Sequence, residues 1–177
     1  HDALPISQTF RQPTSKTDFK PALQQSNSVL FADYNMVQAE IRWVRNGMNY
    51  DAAQEATVNM FNNYFGGGMG ALVFQTIRES KALAYSTYGY IMEPQKAADH
   101  YQILAYVGSH ADKFNEATVA MNELLNGMPE LAANLELAKS QIKKDIQTER
   151  ITQDGIIFTY LNNKQLGVST DLRKEMY

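Results

Sequence analysis

The sequence contains no cysteine, which excludes disulfides, cysteine-ligated zinc and a cysteine nucleophile together. Histidine is nearly as scarce, with only His1, His100 and His110. Histidine-based zinc sites bring their ligands close on one helix, as in H-E-x-x-H or H-x-x-E-H. His100 and His110 are too far apart for that, and neither has a glutamate at motif spacing, so no metal site is expected in this chain. No apolar run approaches the roughly 18–20 residues of a membrane span. Basic residues do not dominate either. Lys plus Arg is 16 against 19 Asp plus Glu, a net charge of −3 without blocks of like charge. That argues against the basic face of a nucleic-acid-binding protein.

What remains is 177 residues, the size of one domain with a substantial core. Residues 1–27 are set apart. His1-Asp2-Ala3-Leu4-Pro5-Ile6 reads as a sequencing adapter translated in frame, and residues 7–27, polar and carrying Pro13 and Pro21, read as a linker. The domain is expected over 28–177. Asp171, placed as a helix cap shortly before Tyr177, suggests a helix cut early and a domain truncated at its C-terminal end.

Ser28–Tyr34 has strand composition. Val37, Ala39, Ile41 and Trp43 alternate with polar residues, the period-two signature of a half-buried strand, and Asn46-Gly47 is expected to end it. From Asp51 the period becomes helical, through Met60, Phe61, Tyr64 and Phe65, until Gly66-Gly67-Gly68-Met69-Gly70. A second helix is predicted from Leu72 to about Ser80, then strands over 85–91 and 101–107. The last third carries three helical stripes: one from Phe114 to Met128, one from Leu131 to Ile146, and one of Ile156, Ile157, Tyr160 and Leu161 after Asp154-Gly155. The order ββααββααα predicts an α+β domain with a mainly antiparallel sheet and helices packed on one face.

The chemistry is concentrated in 65–90, FGGGMGALVFQTIRESKALAYSTYGY. A phosphate-binding loop needs Lys and Ser/Thr after its last glycine, whereas Ala71 and Leu72 stand here, which leaves a nucleotide-binding domain a weak alternative. The glycines also suit a helix C-cap and a tight helix–helix turn. Taken whole, the segment resembles the noncatalytic half of the pitrilysin/insulinase zinc peptidases, peptidase family M16. The resemblance rests on Gly66-Gly67-Gly68-Met69, Phe74-Gln75, Ile77-Arg78-Glu79 and Leu83-Ala84-Tyr85-Ser86. Two departures stand out. Gly70-Ala71-Leu72-Val73-Phe74 replaces the family's frequent Ser-Ser-Arg-Leu-Phe, and Lys81-Ala82 replaces its common Arg-Gly.

The resemblance implies a zinc-free half that works with a catalytic H-x-x-E-H half, in the same chain or on a partner. Zinc would belong to that partner and no cofactor to this segment. It implies a peptide substrate, with Arg78 and Tyr85 as substrate-binding residues and Gly66, Gly67 and Gly68 as the accompanying turn. A bacterial periplasmic or membrane-associated location follows from the resemblance alone. Tyr85 is the better donor to a developing oxyanion, and the five N–H groups of Arg78 suit substrate carbonyls or the orientation of Tyr85. Spacing alone would leave Arg78 a helix-terminal cation and Tyr85 sheet filling. Tyr88, Tyr90, Tyr101 and Tyr106 are expected mostly in sheet packing, and His100 and His110 on the surface or in turns. The alternative implied by the same fold is an inactive structural subunit.

Overall fold

The computed structural model describes Ser15 and residues 22–177. The adapter-like run 1–6 and most of the expected linker lie outside the described residues. Three strands, β1 (Gln38–Asn49), β2 (Ser86–Met92) and β3 (His100–His110), form one antiparallel sheet in the order β1-β3-β2. The register sorts the side chains. Ile41, Val107 and Thr87 stand in one row and Trp43, Ala105 and Gly89 in another, both on the core face. Arg42, Tyr106 and Tyr88, then Val44, Leu104 and Tyr90, lie on the opposite face.

The helices are α1 (Glu55–Phe65), α2 (Phe114–Asn126), α3 (Ala132–Thr148), α4 (Gln153–Leu166) and the short α5 (Arg173–Met176). Asp51 accepts a hydrogen bond from the Ala53 N–H at 3.0 Å and caps the turn that leads into α1. Tyr64, Phe65, Leu72, Val73, Ile77, Ala105, Val107, Met121 and Leu124 build the core between helices and sheet. Trp43 Nε1 donates to Asn122 Oδ1 at 2.9 Å, tying β1 to α2. The Tyr64 hydroxyl donates to the Pro129 carbonyl at 2.7 Å and accepts from the Leu131 N–H at 2.8 Å, fixing the α2–α3 turn on α1. The α+β arrangement, antiparallel with helices on one face, is the one the sequence pattern predicts.

Several local expectations are corrected. Ser28–Tyr34 is not a strand: no strand among the described residues pairs with it, and Val29 and Leu30 are 95% and 93% exposed. Strand composition alone does not make a strand, because its hydrogen bonds must come from a neighbour. Asn46-Gly47 does not end β1 but produces a register irregularity between Asn46 and Asn49. The Leu72–Ser80 helix is wound as a π-helix from Phe74 to Ser80. Helix α4 begins before Asp154-Gly155, capped by Thr152 Oγ1, which accepts from the Gly155 N–H at 3.1 Å. Its apolar residues Ile156, Ile157, Tyr160 and Leu161 are exposed, because no apolar layer among the described residues covers them.

Asn62 on α1 closes the outer edge of β2. Its side-chain amide donates to the Ile91 carbonyl at 2.9 Å and accepts from the Ile91 N–H at 2.7 Å, in place of a further strand. One turn later α1 ends against the same strand. A Cβ at Gly66 would lie 1.9 Å from the Gly89 carbonyl oxygen, so only glycine allows this backbone-to-backbone approach. Gly66→Ala should therefore destabilise the domain by about 1–3 kcal/mol in urea or thermal unfolding. Gly70→Ala, whose nearest new contact would be Leu137 Cδ1 at 3.8 Å, should be close to neutral in the same assay.

Candidate functional site

Arg78 is carried by the π-helix. Ile77 points into the core, and Arg78, next in sequence, is turned outward with its side chain 48% exposed. Its guanidinium lies 4.9 Å from the centre of the Phe74 ring, and its Nε is 4.0 Å from the Glu79 carboxylate. An ion pair this long and this exposed contributes little to holding the guanidinium. Leu72, where the family it resembles often has arginine, is buried in the core beside Val73.

The π-helix closes with Lys81 N–H donating to Thr76 O at 3.1 Å and Leu83 N–H donating to Ile77 O at 2.9 Å. Between those two donors stands Ala82 at φ +49°, the one non-glycine residue with positive φ among the described residues. This is the position at which the family's glycine is replaced. The left-handed turn redirects the chain from Arg78 toward Tyr85 on the approach to β2.

Tyr85 is anchored to the end of β3. Its N–H donates to the Gly108 carbonyl at 2.9 Å. Its phenol shares a hydrogen bond with His110 Nε2, and the two rings meet edge-on with centroids 4.9 Å apart at 62°. The side chain is 51% exposed. Tyr85 is thus brought together with His110, whereas Arg78 contacts Glu79 and Phe74. His110 is exposed, as the sequence suggested, but its bond to Tyr85 was not legible there. The only available signal was register: Ser86 pairs with Gly108, which sets Tyr85 beside the last residues of β3.

The glycine turn is held by side-chain amides. Gln75 Nε2 donates to the Met69 carbonyl, and Asn134 Nδ2 donates to the Gly70 carbonyl at 2.9 Å. Gly68 has φ +147°, a conformation L side chains rarely adopt. Behind the turn lies an open cleft of about 530 Å³ lined by Gly70, Gln75, Thr76, Ser80, Leu131 and Asn134, among others. No cation lines it, so it offers a phosphate no counter-charge. Among the described residues no cluster of three or more His, Asp or Glu side chains could hold a metal ion, so these residues do not fit a zinc site. No described helix is long and apolar enough to cross a membrane.

The tyrosines divide by face. Tyr101 is fully buried, and its hydroxyl donates to the Asp51 carbonyl at 3.1 Å. On the open sheet face Tyr88 stacks on Tyr106 at 4.9 Å, and Arg42 lies 5.6 Å from the centre of the Tyr106 ring. A polar pair missed in the sequence sits at the start of α1. The Tyr50 phenol hydrogen-bonds the buried Glu55 carboxylate. Burial, and then the bond to Glu55, pushes the Tyr50 phenol well above its ordinary value of 10.0. Burial also raises Tyr101 and Tyr106.

Two predictions follow from this geometry. Relieving the left-handed alanine with Ala82→Gly should stabilise the domain by about 1 kcal/mol in chemical denaturation, the helical-handedness cost exceeding glycine's extra chain entropy. Because the folded state raises Tyr50 above its unfolded value, it favours the neutral phenol. That stabilisation is complete below pH 10 and is lost as the pH rises beyond it. Unfolding measured at pH 9 and pH 11 should show this loss. Tyr50→Phe should reduce it and, by leaving Glu55 without its donor, cost about 1–3 kcal/mol at neutral pH.

The comparisons with known proteins agree with the fold. The family model described as "Peptidase M16 inactive domain" matches residues 4–142. A crystal structure of a peptidase M16 inactive domain from Pseudomonas fluorescens superposes with a TM-score of 0.65 at 16% identity, over 81% of this chain and 34% of that one. A protease from Helicobacter pylori gives 0.65 at 14% identity, over 81% and 36%. A conserved protein from Enterococcus faecalis V583 gives 0.57 at 14%, over 79% and 33%. The chain thus spans about a third of the length of the solved structures it matches. At these identities the superpositions speak for the fold alone. No curated protein matches the sequence.

Proposed function

Because the chain belongs to the family of peptidase M16 inactive domains, we propose that it is the substrate-gripping, zinc-free half of a peptidase, completing the active site of a catalytic H-x-x-E-H half. The observation that carries this reading is the pair of half-exposed donors, Arg78 and Tyr85, on consecutive segments joined by the turn at Ala82, with the Tyr85 phenol fixed to the end of the sheet. The chain's own residues would bind an extended peptide. Arg78 has five N–H groups in a rigid fork, suited to backbone carbonyls of substrate. The Tyr85 O–H would donate to the scissile carbonyl oxygen as negative charge develops on it. Losing one preorganised donor of that kind costs roughly 10²–10³ in rate. The metal belongs to the catalytic half in this reading, since the described residues here do not fit one.

A second reading, a structural subunit of the same fold, is favoured by one observation. Helix α4 exposes Ile156, Ile157, Phe158, Tyr160 and Leu161, the surface of an element that assembles with something else. Kinetics separate the two. In the peptidase assembled with its catalytic half, Arg78→Ala and Tyr85→Phe should each lower peptide hydrolysis at least about tenfold. Near-wild-type rates in both variants would leave only the structural role.

A further inference from the structure

We propose that His110 is the positioning residue for Tyr85: its Nε2–H donates to the phenol oxygen and so leaves the phenol O–H free to point at substrate. This rests on the reading of Tyr85 as an oxyanion donor and specifies how that donor is prepared.

Three observations carry it. First, Tyr85 is held through both its main chain and its side chain by the C-terminal end of β3. Its main chain is bonded to Gly108, its hydroxyl to His110, and the two rings meet edge-on. Second, His110 is itself held. It pairs across the sheet with Gln38, and the fully buried Ser109 donates its hydroxyl to the His110 carbonyl at 3.2 Å. The imidazole thus stands at the rigid end of the central strand, just before the turn Ala111–Lys113 that leads into α2. Third, both rings remain open to solvent, so the phenol is accessible to a ligand while it is bonded to the imidazole.

The direction of the hydrogen bond then decides the chemistry. A phenol has a single proton to give. If it gives that proton to an unprotonated Nε2, it has none for a substrate oxyanion. If Nε2 carries the hydrogen, the phenol oxygen accepts and its own O–H is released. The series imidazole N–H to phenol O–H to oxyanion aligns two donors, each polarising the next. A neutral imidazole bears its hydrogen on one nitrogen only, so His110 acts as a tautomer-dependent switch on the donor capacity of Tyr85.

The test has a spectroscopic and a kinetic arm. In nitrogen-15 NMR of this chain at neutral pH, His110 Nε2 should be the protonated nitrogen, and Tyr85→Phe should shift its resonance. An unprotonated Nε2, or one indifferent to Tyr85→Phe, overturns the proposal. In the peptidase assembled with its catalytic half, His110→Leu should lower kcat about tenfold while KM stays within about twofold. His110→Gln, whose amide N–H can donate to the same oxygen, should recover to within about threefold of wild type. His110→Leu should add nothing to Tyr85→Phe. If Tyr85→Phe lowers kcat and His110→Leu leaves it at the wild-type value, the positioning role is wrong and the oxyanion role stands. If Tyr85→Phe leaves kcat unchanged, the oxyanion role falls and the positioning role with it. Because His110 is exposed, all these variants are expected to fold, and their near-ultraviolet circular dichroism should match wild type.

Discussion

The close approach of α1 to β2 is the constraint on which the remaining geometry depends. Helix α1 ends with its backbone pressed on the backbone of Gly89, and a side chain at Gly66 would collide with main chain rather than with a flexible neighbour. The reverse face of the contact is equally tight, since a Cβ at Gly89 would meet Phe65 Cε1 at 2.6 Å. Helix and strand therefore seat at one depth. Asn62 fixes the rotation of α1 about its axis by bonding both backbone groups of Ile91. Everything that follows in sequence, the glycine turn, the π-helix and the approach to β2, starts from a helix end whose position has no slack.

From that fixed point the chain must bury Leu72, Val73 and Ile77, turn Arg78 outward and return to the sheet as β2. A π-helix accomplishes this because each of its turns takes in one more residue than an α-helical turn, which moves the exposed side chains relative to the buried ones. The reversal at Ala82 completes it at the cost of a left-handed residue that carries a Cβ. Winding irregularity and backbone strain thus follow one another within Phe74–Ala82, the stretch that carries Arg78 and leads to Tyr85. Elsewhere in the described chain positive φ is confined to glycine.

The sequence made the global arrangement legible because alternation in β1 and the 3.6 periodicity of α1, α2 and α3 are properties of single elements facing one core. Trp43 and Ile41, Tyr64 and Phe65, Met121 and Leu124 all lie where their spacing puts them. Ser28–Tyr34, which forms no strand, and α4, which is helical as expected but leaves its apolar stripe exposed, share a reason. Both have the composition of packed elements, and composition records that a segment wants a neighbour without recording where the neighbour is. The Asn46-Gly47 pair failed differently: its turn chemistry was absorbed as an irregularity within a strand because β3 continues to pair beyond it, up to Asn49 with His100. At the site, the motif made Arg78 and Tyr85 visible, whereas His110 has no motif. Its place beside Tyr85 follows from strand register, a long-range quantity that no local pattern encodes.

The two candidate donors also differ in how they are held, and that difference bears on what each can contribute. Tyr85 is preorganised: its backbone and its hydroxyl are both bonded to β3, so little rotational freedom is left to lose when a substrate arrives. Arg78 rests on the face of Phe74 beside a weak exposed ion pair. A group that is already aligned stabilises developing charge without reorganising at the moment of reaction, and in the proposed role a five-donor fork held less tightly would follow the backbone of peptides of different sequence. In the proposed role this arrangement would place rigidity where charge develops and adaptability where the peptide varies.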